Sequence, residues 1–227
     1  MKSLLLNFLK GILAGLAIGL GGFLYVLMTF TFHGDLAELG KILGSILFSV
    51  GLFLVCTFSL SLYTGKIGLI YEEKKDKWFY WSLPVMLVGN AIGAFALGYI
   101  CYFIFRNTDV YTYALAAANS RLVFNNAFDY IVTAIKAFLC GLCVYLAVKS
   151  FSLNRLKPLG IGLLVFFVFV FVYCGFQHCI ANMFYFGMAN TMTWYTLINL
   201  LMVILFNSLG PVVGVALVKL IKNKENA

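Results

Sequence analysis

Six apolar segments, at roughly 8–32, 41–71, 79–106, 127–149, 159–188 and 192–221, constrain this chain more than any other feature. Each exceeds the roughly 20 residues that a helix needs to cross a hydrocarbon core about 30 Å thick. The chain is 63% hydrophobic and 11% charged, whereas soluble domains carry roughly 25% charged residues. A water-soluble domain is excluded, and the pattern predicts an all-α membrane protein of six transmembrane helices. The first segment is too long for a signal-peptide core and lacks a small-residue cleavage pattern, so it reads as a retained span. Residues 1–227 form a single transmembrane domain in this reading.

The breaks between segments carry the charges. They are Asp35 and Glu38, the run Glu72 to Lys77, the stretch Arg106 to Arg121, and Asn154 to Pro158. Six spans place both termini on one side. That side receives Lys2, Lys10, Lys66, Lys74, Lys75, Lys77, Lys149, Arg155, Lys157, Lys219, Lys222 and Lys224, twelve of the 16 basic residues. The opposite side receives Lys41, Arg106 and Arg121, and Lys136 falls inside the fourth span. The positive-inside rule then sets both termini in the cytoplasm of a multi-pass inner-membrane (cell-membrane) protein. The net charge of +8 follows membrane edges, so no nucleic-acid partner is expected.

Cofactor chemistry finds little support. All six cysteines fall in apolar spans, and Cys140-x-x-Cys143 has no other metal-ligating residue near it in sequence. They read as small apolar packing residues, with no metal and no cofactor expected. No Gly-rich phosphate loop followed by Lys-Ser or Lys-Thr is present. Gly11, Gly15 and Gly19 repeat at four-residue spacing, which suits close helix packing in lipid. No second titratable group accompanies His178 in the sequence around it, so the chain is not expected to be an enzyme.

Two spans contain residues that a continuous lipid-facing helix does not want. The second holds Cys56-Thr57-Phe58-Ser59-Leu60-Ser61-Leu62-Tyr63-Thr64-Gly65-Lys66. The fifth holds the pairs Gln177-His178 and Ala181-Asn182. The third span of each half carries Asn three residues before Gly, at Asn90–Gly93 and Asn207–Gly210. Three spans per half force opposite orientation, so the pattern predicts an inverted repeat, about 1–107 and 127–221. Broken helices at matching places in such repeats point to a solute path near the midplane. His178 is the histidine at membrane depth, while His33 falls in a short polar loop; an ionisable group in a span marks a transport path by default.

Gly175-Phe176-Gln177-His178-Cys179-Ile180-Ala181-Asn182-Met183-Phe184 resembles the signature of the formate/nitrite transporters, Gly-Phe-Glu-His-x-x-Ala-Asn-Met-Phe. Leu62-Tyr63-Thr64-Gly65 is similar to the family's Leu-Phe-Thr-Gly loop, and Asn199 with Asn207 and Gly210 to its last-helix pattern. The resemblance runs over essentially the whole chain. It implies an aquaporin-like fold without Asn-Pro-Ala motifs, assembled in lipid as a homopentamer with one pore per protomer. It implies a channel or transporter for small monovalent weak-acid anions, with formate or nitrite first and hydrosulfide, acetate and lactate behind them. His178 matches the central histidine, through which transport is expected to be proton-linked, and Thr64 the threonine facing it at the site of proton exchange. Phe48, Leu52, Leu62, Tyr63, Val144 and Phe171 match pore constrictions. Asn90, Asn182, Asn199, Asn207 and Gln177 are expected to support the broken helices.

A bare anion crossing an apolar constriction meets a large desolvation cost. Pairing with a charged histidine, or taking up a proton to cross as the neutral acid, lowers it. Histidine suits either role, since its charge changes near physiological pH. A neutral-solute channel of the same fold is the alternative, weakened by the lack of Asn-Pro-Ala. Several residues depart from the family. Gln177 replaces Glu, and Gly141 replaces an Asn and so predicts a roomier chamber. Asn125 falls where many members have a vestibule Lys, with Arg121 or Lys136 as candidate substitutes. Phe206 and Pro211 replace glycines. Lys136 is otherwise expected to snorkel or to pair with Asp129.

Overall fold

The computed structural model describes residues 2–70, 77–153 and 157–225. The charged run from Glu72 to Asp76 and the break at Asn154 to Leu156 lie outside the described residues. The described chain is helical, without strands. In order it forms α1 (Lys2–Thr31), α2 (Ala37–Thr57), α3 (Tyr63–Lys66), α4 (Lys77–Phe105), α5 (Val110–Asn119), α6 (Ala127–Leu153), α7 (Lys157–Tyr173), α8 (Cys179–Ala189) and α9 (Trp194–Glu225). Short 3₁₀ turns, Gly34–Leu36 and Ile67–Ile70, precede α2 and follow α3.

Five described helices are long and apolar enough to cross a bilayer, at 3–31, 34–57, 77–105, 127–152 and 194–221. The expected fifth segment is two pieces instead, α7 of 17 residues and α8 of 11. The second segment also divides, at 58–62, between α2 and α3. The stretch from Arg106 to Arg121, read from sequence as a charged break, contains the ten-residue helix α5.

The bundle turns much of its apolar surface outward. Leu13, Ile100, Phe103, Phe166, Leu201 and Leu205 are all more than one-third exposed, as lipid-facing side chains are. Helix α8 is the opposite case: every residue from Cys179 to Ala189 is buried. A helix apolar nearly all round has no solvent side to present, and α8 packs against α1, α4, α5 and α9.

Two helix pairs, α1 with α4 and α6 with α9, make the closest approaches. A β-carbon on Gly141 would overlap the Asn207 carbonyl oxygen and lie 2.8 Å from the Asn207 Cα. On Gly15 it would overlap the Asn90 carbonyl oxygen and lie 2.8 Å from the Ala94 nitrogen. Gly93 and Gly210 complete the two crossings against Ile12 and Phe138. These contacts correct the expectation of a roomier chamber at Gly141. The missing side chain leaves no void, because the backbone of α9 fills it.

Candidate functional site

Both interrupted spans stop in the same way. At the end of α2, Ser59 N–H donates to the Cys56 carbonyl at 3.3 Å and Leu60 N–H to Val55 at 2.9 Å. At the end of α7, Gly175 N–H donates to Val172 at 3.0 Å and Phe176 N–H to Phe171 at 2.9 Å. These paired bonds are Schellman caps, which need a left-handed residue just beyond the helix. Gly175 takes that conformation with φ 66°, as glycine does freely; Ser59 takes it with φ 49°. Beyond each cap the chain runs extended and restarts as a helix at Tyr63 or Cys179.

Two fully buried asparagines hold the restarts in place. The Asn90 carboxamide accepts from Tyr63 N–H at 2.9 Å and donates to the Gly11 and Ser61 carbonyls at 2.9 and 2.8 Å. The Asn207 carboxamide accepts from Cys179 N–H at 2.9 Å and donates to the Ala137 and Gln177 carbonyls at 2.7 and 2.8 Å. Each side chain thus satisfies backbone groups that a broken helix would otherwise leave bare at membrane depth. The two sets of bonds correspond one for one. In that correspondence His178 stands opposite Leu62, which also caps the restarted helix with an extended backbone.

His178 is 2% exposed and Thr64 fully buried. The imidazole Nδ1 accepts from Ala181 N–H at 3.2 Å, capping α8. Its Nε2 lies 3.0 Å from Thr64 Oγ1. With Nδ1 occupied as an acceptor, the network assigns the ring hydrogen to Nε2, which donates toward Thr64. The Phe171 ring lies 5.9 Å from the imidazole, and Phe48 meets Phe171 edge-on at 5.7 Å. Leu52, Leu62 and Val144 are buried within the same core. Tyr63 is only half-buried, and its hydroxyl lies 2.8 Å from Ser208 Oγ of α9.

A pocket of about 170 Å³ opens on the Leu62 side, lined by Cys56, Ser59, Lys66, Val148 and Ser152 among others. On the far side of His178 a cavity of about 10 Å³ is bounded by Phe48, Phe171, Phe176, Asn182, Tyr185 and Arg121, room for about one water. Each space therefore borders on one cation.

Arg121 is the residue that reading the motif alone misses, since it stands 57 positions before His178. Its guanidinium stacks 3.9 Å above the Tyr185 ring, and its Nε donates to Asn182 Oδ1 at 3.0 Å. Nη1 donates to the Ala117 carbonyl. Asn182 Nδ2 donates in turn to Gln177 Oε1 at 2.7 Å and Asn199 Oδ1 at 2.9 Å. Asn199 Nδ2 closes the loop by donating to the Arg121 carbonyl at 2.8 Å. Gln177, Asn182 and Asn199 thus position Arg121 as much as they support the broken helix. A second ionisable group does accompany His178, contrary to the sequence reading. Among the described residues the ion pair present is Lys41 with Glu38 at 3.9 Å, so no carboxylate neutralises Arg121. The expected partner of Lys136 is also engaged elsewhere: Asp129 accepts from the backbone N–H of Asn125 and Asn126, at 2.8 and 3.2 Å.

A solved pentameric formate channel with formate bound superposes with a TM-score of 0.83 at 24% identity, covering 98% of each chain. An ion channel described as of the FNT family gives 0.76 at 21% identity, over 95% of this chain and 89% of that one. An uncharacterized transporter of Bacillus subtilis, YrhG, is 29% identical over 92% of this chain and 81% of its own length. The family model of formate/nitrite transporters matches residues 2–221. Motif, fold and family model agree over nearly the full length, and the chain belongs to the formate/nitrite transporter family.

Proposed function

We propose that the chain conducts small monovalent anions of weak acids, formate or nitrite foremost, along a path from the Lys66 pocket past Leu62, Thr64 and His178 to the Arg121 cavity. It acts as a homopentamer in the inner (cell) membrane, with one path per protomer and both termini cytoplasmic. The single observation that carries this reading is the buried Thr64–His178 hydrogen bond, closed off by apolar side chains and flanked on each side by a space bordered by a cation. The formate-bound pentamer of similar fold supports the solute class and the assembly.

The division of labour follows from the side chains. Lys66 and Arg121 concentrate anions at the two mouths. Leu62 on one side and Phe48 with Phe171 on the other exclude hydrated ions, because an unpaired charge among such side chains is costly. His178 and Thr64 replace lost water with an N–H and an O–H donor. Proton linkage then belongs to the solute, which passes the apolar constrictions as the neutral acid. His178 works as a neutral donor through Nε2, because a hydrogen on Nδ1 would face the Ala181 N–H and break the α8 cap.

The test is uptake of a panel of weak-acid anions into proteoliposomes at two pH values. Replacing His178 by Phe removes the donor and lowers flux by about tenfold, the loss of one hydrogen bond to the solute. Replacing it by Gln keeps a neutral N–H donor and retains most of that flux, with the rise at lower pH intact. Equal loss in both variants would overturn the neutral-donor role; unchanged flux in both would remove His178 from the path. An Arg121→Gln variant keeps a donor to Asn182 and lowers uptake severalfold at sub-saturating anion, with little change at saturation. A saturating rate that falls equally would make Arg121 a structural residue only.

A further inference from the structure

Near the start of α1 a polar pocket of about 440 Å³ is lined by Ser3, Asn7, Lys10, Ser59 and Lys66, with Trp78 at its edge. It adjoins an apolar groove of about 740 Å³ that runs along Leu6, Leu9, Leu13, Leu16 and Leu20 toward Leu97. Lys10 belongs to both. We propose that an anionic glycerophospholipid docks here, its phosphate on Lys10, where pocket and groove meet, and one acyl chain along the groove.

Depth, length and charge all favour this occupant. From Gly11 to Phe30 the chain is free of charges, a stretch of about 30 Å at 1.5 Å per residue that matches the hydrocarbon core. Lys10 therefore sits at the core's edge, where headgroups begin. Trp78 and Trp81, exposed at 48% and 66% at the start of α4, are interfacial aromatics on the same side of the bilayer. Leu6 to Leu20 spans about 21 Å of helix, more than the roughly 15 Å of one leaflet's acyl region. Neither Lys10 nor Lys66 has a carboxylate partner among the described residues. A zwitterionic headgroup would bring a further cation to a place that already holds two.

The site also touches the interrupted span. Ser59 lines the pocket, and Phe58 and Leu60 line the groove. A bound lipid therefore braces the segment that ends at Leu62, whatever solute passes.

The experiment is native mass spectrometry of the purified full-length protein with phosphatidylglycerol or phosphatidylcholine of identical chains. A basic side chain near anionic lipid is worth about fivefold in affinity, so Lys10 favours phosphatidylglycerol by about fivefold. Lys10→Gln loses that preference and Lys10→Arg restores it. Equal retention of the two lipids, or a preference unmoved by Lys10→Gln, overturns the proposal. Competition by glycerol phosphate as strong as by the lipid would mean a soluble-phosphate site and also overturns it. So does a lipid-free assembly in which Leu13→Cys cross-links to a neighbouring protomer.

Discussion

Restoring the family's asparagine at position 141 is expected to cost this protein its fold rather than tune its pore. Gly141 lies where α6 crosses α9, and a β-carbon there would be 2.8 Å from both the Asn207 Cα and its carbonyl carbon. A flexible side chain could give way, but backbone cannot without separating the helices. Overpacking a well-packed core costs about 1–3 kcal/mol where side chains can shift. Here the neighbour is main chain, and it belongs to Asn207, whose carboxamide carries three hydrogen bonds. Gly141→Ala is expected to lower stability by more than about 3 kcal/mol, and Gly141→Asn to abolish recovery of folded protein. Gly162→Ala is the control, because nothing lies within 4 Å of a β-carbon there; its melting temperature should match or exceed that of the parent. Thermal unfolding in detergent checks all three, and a stable Gly141→Asn protein would contradict the crossing.

Asn207→Leu is expected to be the most damaging change among the polar residues. Side-chain hydrogen bonds between membrane helices average only about 0.6 kcal/mol, because the unfolded helix finds other partners. Asn207 escapes that average through what it bonds. Cys179 N–H and the Gln177 carbonyl belong to an interrupted helix and have no alternative nearby. A buried orphan costs about 1–3 kcal/mol, so two of them predict a loss of about 2–6 kcal/mol. Asn90→Leu should behave alike, through Tyr63 N–H and the Ser61 carbonyl. Asn207→Asp keeps the acceptor for Cys179 N–H and loses both donors, and it places a charge at membrane depth. It is expected to fall below the parent in stability. If Asn207→Leu unfolds within a degree or two of the parent, the asparagine is not what holds the break.

The interruptions were legible in the sequence because their residues conflict with their setting. Hydroxyls around Thr64 and the Gln177-His178 pair stand in runs otherwise apolar, and the two asparagines that bond them stand three residues before glycines. Features that depend on what comes close in space were not legible. Gly141 reads as empty volume when only its own chain is considered, since a missing side chain looks the same whether lipid, solute or another helix fills the place. Arg121 could be named beside Lys136 as a candidate vestibule cation, but nothing in the chain near it announces Tyr185 and Asn182, so the choice between the two was not legible. Helix α5 was hidden by Arg106, Asp109 and Arg121 around it, and by a stretch too short to show helical periodicity. The register of the internal correspondence was likewise invisible: bonds, not spacing, set His178 against Leu62 rather than against Thr64.

Helix α8 carries a consequence for how the molecule comes into being. With all its residues buried, it has no side to offer to lipid and gains nothing from entering the bilayer alone. Its seat is made by α1, α4 and α5, which are synthesised before it, and by α9, which follows. The segment that bears His178 is therefore the piece whose placement waits on the rest of the chain.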